Sequence, residues 1–165
     1  MNKQLPEVRG TYRFDASLSG TNWFGVGGAA EVLFKPEDAQ DLAHFLKHKP
    51  TSLNITIISV GSNLIVRDGG VPGVVVRLGK PFAKVERLDE TALICGGGAS
   101  GILVSSTARD AGIAGLEFLR SIPGTVGGAL AMNAGCHGGE TWAIAERVLT
   151  VDRSDAPQEH SARQA

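Results

Sequence analysis

Short apolar runs alternate with one amphipathic segment in the first third of the chain. Residues 30–34 form an apolar run that ends before Pro36, which predicts a short strand. Residues 37–49 carry acidic side chains first, then apolar side chains at helical spacing and basic side chains last, which predicts a helix. Residues 55–60 are mostly β-branched, a pattern typical of a strand buried on both faces. The order of strand, helix and strand predicts a βαβ unit.

The elements predicted farther along the chain are shorter. Residues 64–66 and 74–78 predict two extended pieces on either side of the turn residues 68–70. Residues 85–88 and 92–95 flank a polar turn and predict an antiparallel hairpin.

A helix is predicted over residues 100–111, and Gly112 ends it. Its spacing of apolar and small residues defines the face that we expect to turn inward. That face consists of Ile102, Leu103, Ser106 and Ala108.

We expect two lobes with a boundary near residue 80. The expected segments are a flexible N-terminus at 1–16, a first lobe at 17–80, a second and incomplete lobe at 81–153, and a polar tail at 154–165. Residues 148–152 predict the start of a strand, and the sequence offers no partner segment after it. Because strand backbone groups need such a partner, we expect a truncated chain or a disordered tail.

Composition and charge narrow the classes of function. The 165 residues include 16 Lys and Arg against 17 Asp and Glu, which gives no electrostatic footprint for nucleic acid or an anionic membrane. No apolar run approaches membrane-spanning length, and Cys95 and Cys136 match no metal or redox spacing. We therefore expect a soluble, cytoplasmic protein with no metal, membrane or nucleic-acid partner. The 22 glycines indicate several ligand-facing or tightly turning loops.

The first of these loops, residues 96–101, satisfies the dinucleotide pattern G-x-G-x-x-G. It follows an apolar strand and opens a helix, and Glu117 stands about 20 residues after Gly96, near the acidic position of that pattern. Glu117 does not end a second strand, however. A tight strand-to-helix turn explains the same glycines.

Two further loops are candidates for holding phosphate or a flat ring. Residues 60–64 follow the predicted β-branched strand, and a Gly-Ser-Asn turn at that edge can offer amides and polar side chains to a pyrophosphate. Residues 123–128 can start a helix with free amides and little side-chain bulk. An ordinary turn is the alternative for the first loop, and close helix packing is the alternative for the second.

An ordered set of segments is more specific than any of these loops alone. It comprises residues 21–28 (Thr-Asn-Trp-Phe-Gly-Val-Gly-Gly), 61–64, 114–119, 122–129 (Ile-Pro-Gly-Thr-Val-Gly-Gly-Ala), 132–135 and 139–140. In this order they closely resemble the UDP-N-acetylenolpyruvoylglucosamine reductase family, from about residue 17 to about residue 153. The resemblance implies an α+β, two-lobed FAD-binding fold of the p-cresol methylhydroxylase/vanillyl-alcohol oxidase type, with the C-terminal substrate domain missing. It displaces the dinucleotide interpretation of residues 96–101.

The resemblance also implies an activity. Members of the family reduce UDP-N-acetylglucosamine enolpyruvate to UDP-N-acetylmuramate in peptidoglycan precursor synthesis, with NADPH as hydride donor and non-covalent FAD as cofactor. The family's proton-donating serine and its glutamate lie beyond Ala165, so no catalytic residue is assigned here. We expect this chain alone to bind FAD, to lack turnover and to oligomerise through exposed lobe surface. The alternatives are an inactive FAD-binding fragment or paralogue, and a NAD-binding Rossmann protein.

The same resemblance implies which residues hold the cofactor. Those around the pyrophosphate are Val60, Gly61, Ser62, Asn63 and Leu64. Those on the flavin side are Pro123, Gly124, Thr125, Gly127 and Gly128, with Gly135, Cys136 and His137 closing the site. A Gly124→Val substitution is expected to abolish flavin binding and to leave the fold intact.

Departures and aromatic residues complete the expectations. Gly25 and Ala131 stand where family members usually carry basic residues, which bears on affinity more than on the fold. His137 invites comparison with relatives of this fold that link flavin covalently, but the resembled family binds FAD non-covalently. Trp23 and Trp142 are expected either to stack on a flavin or to fill an interface between the lobes.

Overall fold

The computed structural model describes residues 5–153 and 158–161. The chain packs as two units, one formed by Met1–Leu78 with Arg147–Ala165 and the other by Gly79–Glu146. The expectations for residues 1–4, 154–157 and 162–165 lie outside the described residues. The division into FAD-binding lobes at 17–80 and 81–153 stays a prediction, and the packing differs from it in placing Arg147 and the residues after it with the first unit.

The first unit contains β1 (Thr11–Ser17), β2 (Ala29–Lys35), α1 (Ala39–His48), β3 (Ile55–Ile58) and β4 (Val71–Arg77). These four strands form one sheet in the order β1-β2-β4-β3. β1 is antiparallel to β2, whereas β2, β4 and β3 are mutually parallel. The predicted βαβ connection therefore exists, with β4 inserted between its two strands.

Aromatic rings pack α1 against the sheet. The ring centroids of Phe34 and Phe45 lie 4.7 Å apart, and those of Tyr12 and Phe34 lie 5.1 Å apart. Phe34 and Phe45 are fully buried, and such aromatic pairs add to the free energy gained from burial alone. α1 begins at Ala39 rather than at the predicted residue 37, because Asp38 lies outside the helix as its N-cap and its carboxylate accepts the Asp41 amide at 2.8 Å.

Two expectations about the strands of this unit are corrected. β3 is an edge strand rather than one buried on both faces, and its Ile57 side chain is 59% exposed. The strand buried on both faces is β4, whose residues Val74–Val76 are fully buried between β2 and β3. Residues 64–66 form no strand.

The expected flexible terminus is corrected for residues 11–16, since Thr11–Ser17 pairs with β2 along its length. The segment before it is anchored by Asp41, a buried residue of α1. Its carboxylate accepts the backbone amides of Arg9 at 2.8 Å, Gly10 at 2.9 Å and Glu37 at 3.0 Å. A buried carboxylate with several amide donors is a strong anchor because each bond is charge-assisted.

β9 (Arg147–Thr150) also belongs to the first unit. It pairs antiparallel with β10 (Gln158–Ser161), so the expectation that this strand has no partner segment was wrong. The partner strand was not predicted because Gln158–Ser161 is polar and lacks the apolar pattern by which strands are predicted.

The second unit consists of small elements. They are β5 (Val85–Arg87), β6 (Leu93–Cys95), α2 (Gly101–Ala111), α3 (Val126–Met132), β7 (Gly135–Cys136), β8 (Gly139–Glu140) and α4 (Thr141–Ile144). β5 and β6 form the predicted antiparallel hairpin. α2 ends at Gly112 as predicted, and Gly112 is in the left-handed conformation. Its first residue is Gly101, because Ser100 caps the helix through its hydroxyl, which accepts the Leu103 amide.

The inward face of α2 differs from the expected one. Ile102 and Leu103 are 55% and 42% exposed, whereas Val104, Ser105 and Ala108 are buried. Gly101 fixes this orientation, because a Cβ at that position would overlap the carbonyl oxygen of Leu119. No helix in the described part of the chain has the length and apolarity that a membrane span requires.

Candidate functional site

The 60–64 loop of the first unit turns tightly at Gly61. Gly61 has a φ of +65°, and its carbonyl oxygen accepts the amide of Trp23 at 3.1 Å. A Cβ on Gly61 would overlap the carbonyl oxygen of Thr21. Glycine is therefore required here by conformation and packing, irrespective of any ligand.

The other loop residues differ in what they offer. Val60 is 51% exposed, Asn63 is exposed and Ser62 is half-buried. Leu64 is partly buried and packs against the apolar core of the unit. The loop thus presents a polar, accessible rim over an apolar base.

Asn22 lies against this loop and was given no role by the sequence. Its side-chain amide donates to the carbonyl oxygens of Leu18 and Val26, both at 2.8 Å. Its Oδ1 atom is buried and has no partner among the described residues. An unsatisfied buried acceptor costs about 1–3 kcal/mol, so this atom is suited to accept a donor from a bound molecule.

Two other glycines of the first unit, Gly28 and Gly25, are explained by backbone packing or backbone conformation. Gly28 donates its amide to the Arg67 carbonyl at 3.0 Å, and a Cβ on Gly28 would overlap the Asp68 carbonyl oxygen. Gly25 differs, because a Cβ there meets no atom within 4 Å. Its φ of +67° makes a side chain costly even though the space is open.

In the second unit, the start of α3 is bonded to the turn at residues 96–99. The amide of Val126 donates to Ala99 at 2.9 Å, and the amide of Gly127 donates to Gly97 at 2.8 Å. A Cβ on Gly127 would lie 3.0 Å from the Gly97 oxygen. The expectation that this helix starts with free amides is therefore wrong for these two residues, and close packing explains Gly127.

Gly128 and Gly124 remain as candidates for close approach of a ligand. A Cβ on Gly128 would meet only the Thr125 hydroxyl, at 3.8 Å, and no described residue accepts the Gly128 amide. Gly124 has a φ of +136° in the turn before the helix. Thr125 is buried and forms a bridge with Ser100, so it holds the turn in place.

The glycines at 96–101 do not form a dinucleotide site. The amides of Gly96 and Gly98 donate to the carbonyl oxygens of Lys84 and Phe82, at 2.7 and 2.8 Å. A phosphate cradle needs such amides to be unpaired, and the preceding strand belongs to an antiparallel hairpin rather than a parallel sheet. The tight-turn explanation of this segment is supported.

Residues 135–137 belong to a small hairpin. His137 and Gly138 form its turn with φ values of +52° and +84°. The His137 Nε2 atom lies 3.2 Å from the Ser121 hydroxyl, and Ser121 precedes Pro123 closely in sequence. Gly139 packs on the Phe118 ring, where a Cβ would lie 2.7 Å from a ring carbon. The structure thus brings the hairpin beside the segment that leads into residues 123–128.

Asn133 and Trp142 complete this part of the second unit, and sequence reasoning missed the role of Asn133. Its carboxamide accepts the Trp142 amide at 3.0 Å and donates to Glu140 at 3.1 Å. The Trp142 indole donates to the Leu130 carbonyl at the end of α3, at 3.0 Å. Trp142 is therefore anchored within its own unit, whereas Trp23 is 75% exposed.

The described residues contain no cluster of three metal-ligating side chains. Burial raises the pKa of the Cys95 thiol, which disfavours the thiolate form of this cysteine. The candidate segments present backbone amides, small residues and polar side chains.

Sequence comparisons match this arrangement to a family. The family model described as FAD binding domain matches residues 30–156. The UDP-N-acetylenolpyruvoylglucosamine reductase of Sphingopyxis alaskensis is 65% identical over 136 residues, which are 82% of this chain and 46% of that relative. The reductase of Phenylobacterium zucineum is 56% identical over 151 residues, 92% of this chain and 50% of the relative. The chain spans about half the length of these curated relatives.

Solved structures agree on the fold. The crystal structure of UDP-N-acetylenolpyruvylglucosamine reductase from Thermus caldophilus has a TM-score of 0.75 and 32% identity, over 95% of this chain and 54% of that chain. 6-Hydroxy-D-nicotine oxidase from Arthrobacter nicotinovorans has a TM-score of 0.67 at 17% identity, over 96% of this chain and 37% of that chain. The expected α+β FAD-binding fold of the vanillyl-alcohol oxidase type is confirmed.

Proposed function

The chain belongs to the FAD binding domain family and matches part of the UDP-N-acetylenolpyruvoylglucosamine reductases, and on this premise we propose that it is the FAD-binding part of such a reductase. The observation that carries the proposal is 65% identity over most of the chain, joined to a family model for FAD binding over residues 30–156. FAD supplies hydride-transfer chemistry when bound. The residues of this chain hold it and orient it.

The residues present fit such a cofactor. FAD carries hydroxyl donors and a pyrophosphate, and the buried Asn22 Oδ1 atom is an acceptor in need of a donor. Gly128 has an open side and an amide without an acceptor in the described residues, which permits close approach of a flat or anionic group. The unsatisfied Asn22 Oδ1 atom costs stability in the free chain, and a donor from the ligand would relieve this cost.

Particular roles follow as proposals. In the first unit, Val60, Gly61, Ser62, Asn63 and Leu64 contact the pyrophosphate, mainly through backbone amides and the two polar side chains. In the second unit, Pro123, Gly124, Thr125, Gly127 and Gly128 form the flavin side, and Gly135, Cys136 and His137 close it. Since Gly127 bonds to Gly97, its part is to position the neighbouring residues, and Gly128 makes the contact.

Binding is non-covalent in this proposal. His137 already lies within hydrogen-bond distance of Ser121, and Cys136 is half-buried in the hairpin. Gly25 and Ala131 stand where family members usually carry basic residues, so these positions offer no positive charge to the cofactor. The two glycine-rich segments would hold it mainly through uncharged groups. Affinity is therefore expected to depend on shape and backbone bonds, and only weakly on salt.

The activity of the whole protein is the reduction of UDP-N-acetylglucosamine enolpyruvate to UDP-N-acetylmuramate, with NADPH as hydride donor. In this proposal the whole protein binds the UDP-sugar substrate and is located in the cytoplasm. It takes part in peptidoglycan synthesis and so in determining cell shape. The present chain contributes cofactor binding to this activity. The second candidate function is FAD binding without turnover, which the half-length match to the relatives favours for this chain in isolation.

Uptake of flavin by the purified protein tests the proposal. FAD should shift its visible absorption on addition of the chain, and NAD should not compete. A chain that takes up NAD and leaves the flavin spectrum unchanged would revive the Rossmann alternative.

A further inference from the structure

Two histidines stack on the exposed side of α1. His44 and His48 are separated by four residues in the helix, their ring centroids lie 4.2 Å apart, and their planes are inclined by 33°. Both residues are exposed. Side chains at this spacing share one helix face, so both rings can reach a single atom in solvent.

A backbone bond selects the tautomer of His48. Its Nδ1 atom lies 2.8 Å from the His44 carbonyl oxygen. A carbonyl can only accept, so Nδ1 carries the proton and Nε2 keeps a lone pair in the neutral ring. Metal-binding histidines commonly donate their other ring N–H to a backbone carbonyl in this way, which fixes the ring orientation.

The surroundings determine how many ligands the chain can supply. Asp41 is one turn away, but it is buried and its carboxylate is occupied by the amides of Arg9, Gly10 and Glu37. The Lys49 ammonium group donates to the carbonyls of Pro50 and Leu53. Since the described residues contain no cluster of three potential ligands, the two imidazoles would bind alone.

We propose that His44 and His48 form a two-histidine chelate for a divalent transition ion such as Cu²⁺, Ni²⁺ or Zn²⁺, with water in the remaining positions. Imidazole nitrogen is a preferred ligand of these ions, and histidines four residues apart on one helix face are a known zinc-binding arrangement. The hard ions Mg²⁺ and Ca²⁺ prefer oxygen and are not expected to bind. This site is independent of flavin binding, since it involves neither glycine-rich segment.

Metal titration of the untagged chain, followed by calorimetry, tests the site. We expect one Cu²⁺ per chain, weaker binding of Ni²⁺ and Zn²⁺, and no heat with Mg²⁺. His44→Ala and His48→Ala should each weaken Cu²⁺ binding by at least about tenfold, and the double variant should add little, because a chelate needs both rings. Alanine at exposed helix positions favours the helix, and circular dichroism of each variant checks the fold.

His160→Gln is the matched control. This residue is another exposed histidine of the first unit, on β10, and its loss should leave Cu²⁺ binding unchanged. The proposal is overturned if the chain does not bind Cu²⁺ saturably, if binding survives in the double variant, or if the two single variants weaken binding only additively.

Discussion

The amide nitrogen of Gly127 lies 2.8 Å from the carbonyl oxygen of Gly97. This bond ties the start of α3 to the turn before α2, so two glycine-rich segments of the sequence become one packed structure. It also separates Gly127 from its neighbour Gly128, whose Cα faces open space. Gly127 is therefore needed for packing, whereas Gly128 is needed only if a ligand approaches it. Substitutions at the two positions should separate an effect on stability from an effect on flavin binding.

We expect Gly128→Val to lower FAD affinity by at least about tenfold while the chain stays folded, because the new side chain fills the space that a ligand needs. Gly127→Val should instead lower the free energy of unfolding by about 1–3 kcal/mol, since its side chain overpacks the contact with Gly97. Flavin fluorescence titration and urea unfolding of both variants make the comparison. Equal flavin affinity in Gly128→Val and the wild type would place the cofactor elsewhere.

Gly124→Val, which the sequence suggested as a test of flavin binding alone, is expected to affect the fold as well. Gly124 has a φ of +136°, a backbone conformation that a β-branched residue adopts only with strain. We now expect this substitution to reduce stability as well as flavin binding, so a loss of flavin alone could not be assigned to contact.

The buried carboxylate of Asp41 supplies a prediction about stability. Asp41→Asn replaces one acceptor oxygen by a donor that faces backbone amides, and should cost about 1–3 kcal/mol of unfolding free energy. Asp38→Asn is the control, because asparagine caps a helix about as well as aspartate and the exposed ion pair of Asp38 with Arg9 contributes little, so stability should change by less than about 1 kcal/mol. Urea unfolding measures both. Similar costs for the two variants would show that Asp41 does not anchor the N-terminal segment.

Tyr12 provides a prediction about pH dependence. Its ionisation can be observed without interference from other tyrosines, because it is the only tyrosine among the 165 residues. Burial, with a smaller contribution from the Asp41 charge, raises the pKa of Tyr12 to about 12 from 10.0. The folded state thus holds the phenolic proton after the unfolded state has lost it. The stabilising contribution is fully present below pH 10 and is lost as the pH rises from about 10 to about 12.

The ultraviolet absorbance of the tyrosinate form follows this ionisation directly, since the sequence has a single tyrosine. We expect a midpoint well above 10 in the native chain and a midpoint of about 10 in urea. Coincident midpoints in the two conditions would mean that the Tyr12 hydroxyl, which donates to the Pro6 carbonyl at 2.9 Å, is free to ionise in the fold.

The chain alone should not reduce UDP-N-acetylglucosamine enolpyruvate. Proton donation by a positioned acid is worth about 10²–10⁴ in rate, and orientation of the substrate adds to this. We propose that these groups lie in the part of the relatives that this chain does not span, since the chain covers 46% and 50% of their length. NADPH oxidation measured with and without the enolpyruvyl substrate should therefore be equal, and turnover at the rate of an ordinary enzyme would show that the catalytic groups lie in this chain.

Local signals in the sequence predicted much of the fold. Acidic side chains at residues 37 and 38 predicted the start of α1 to within two residues, and Gly112 marks the predicted end of α2, because such signals depend on neighbouring residues. The burial of β4 in place of β3 could not be predicted this way. β4 enters between two strands already joined by α1, and this order depends on contacts distant in sequence.

The candidate site shows the same division. The glycine-rich runs correctly indicated unusual backbone, but the sequence could not say which glycines serve packing. Gly61, Gly96 and Gly127 contact distant backbone, whereas Gly128 faces open space. The sequence also could not predict the unsatisfied Oδ1 atom of Asn22. In the fold, two carbonyl oxygens accept from the Nδ2 atom of this carboxamide, and no described residue donates to its buried Oδ1 atom.

Equilibrium binding of FAD to the purified chain tests the central claim most directly. Titration at constant protein concentration, followed by the visible spectrum and by quenching of flavin fluorescence, should give saturable uptake of one FAD per chain. Dialysis should remove it, since the proposed binding is non-covalent. A folded chain that leaves the spectrum and the fluorescence of FAD unchanged would contradict the account.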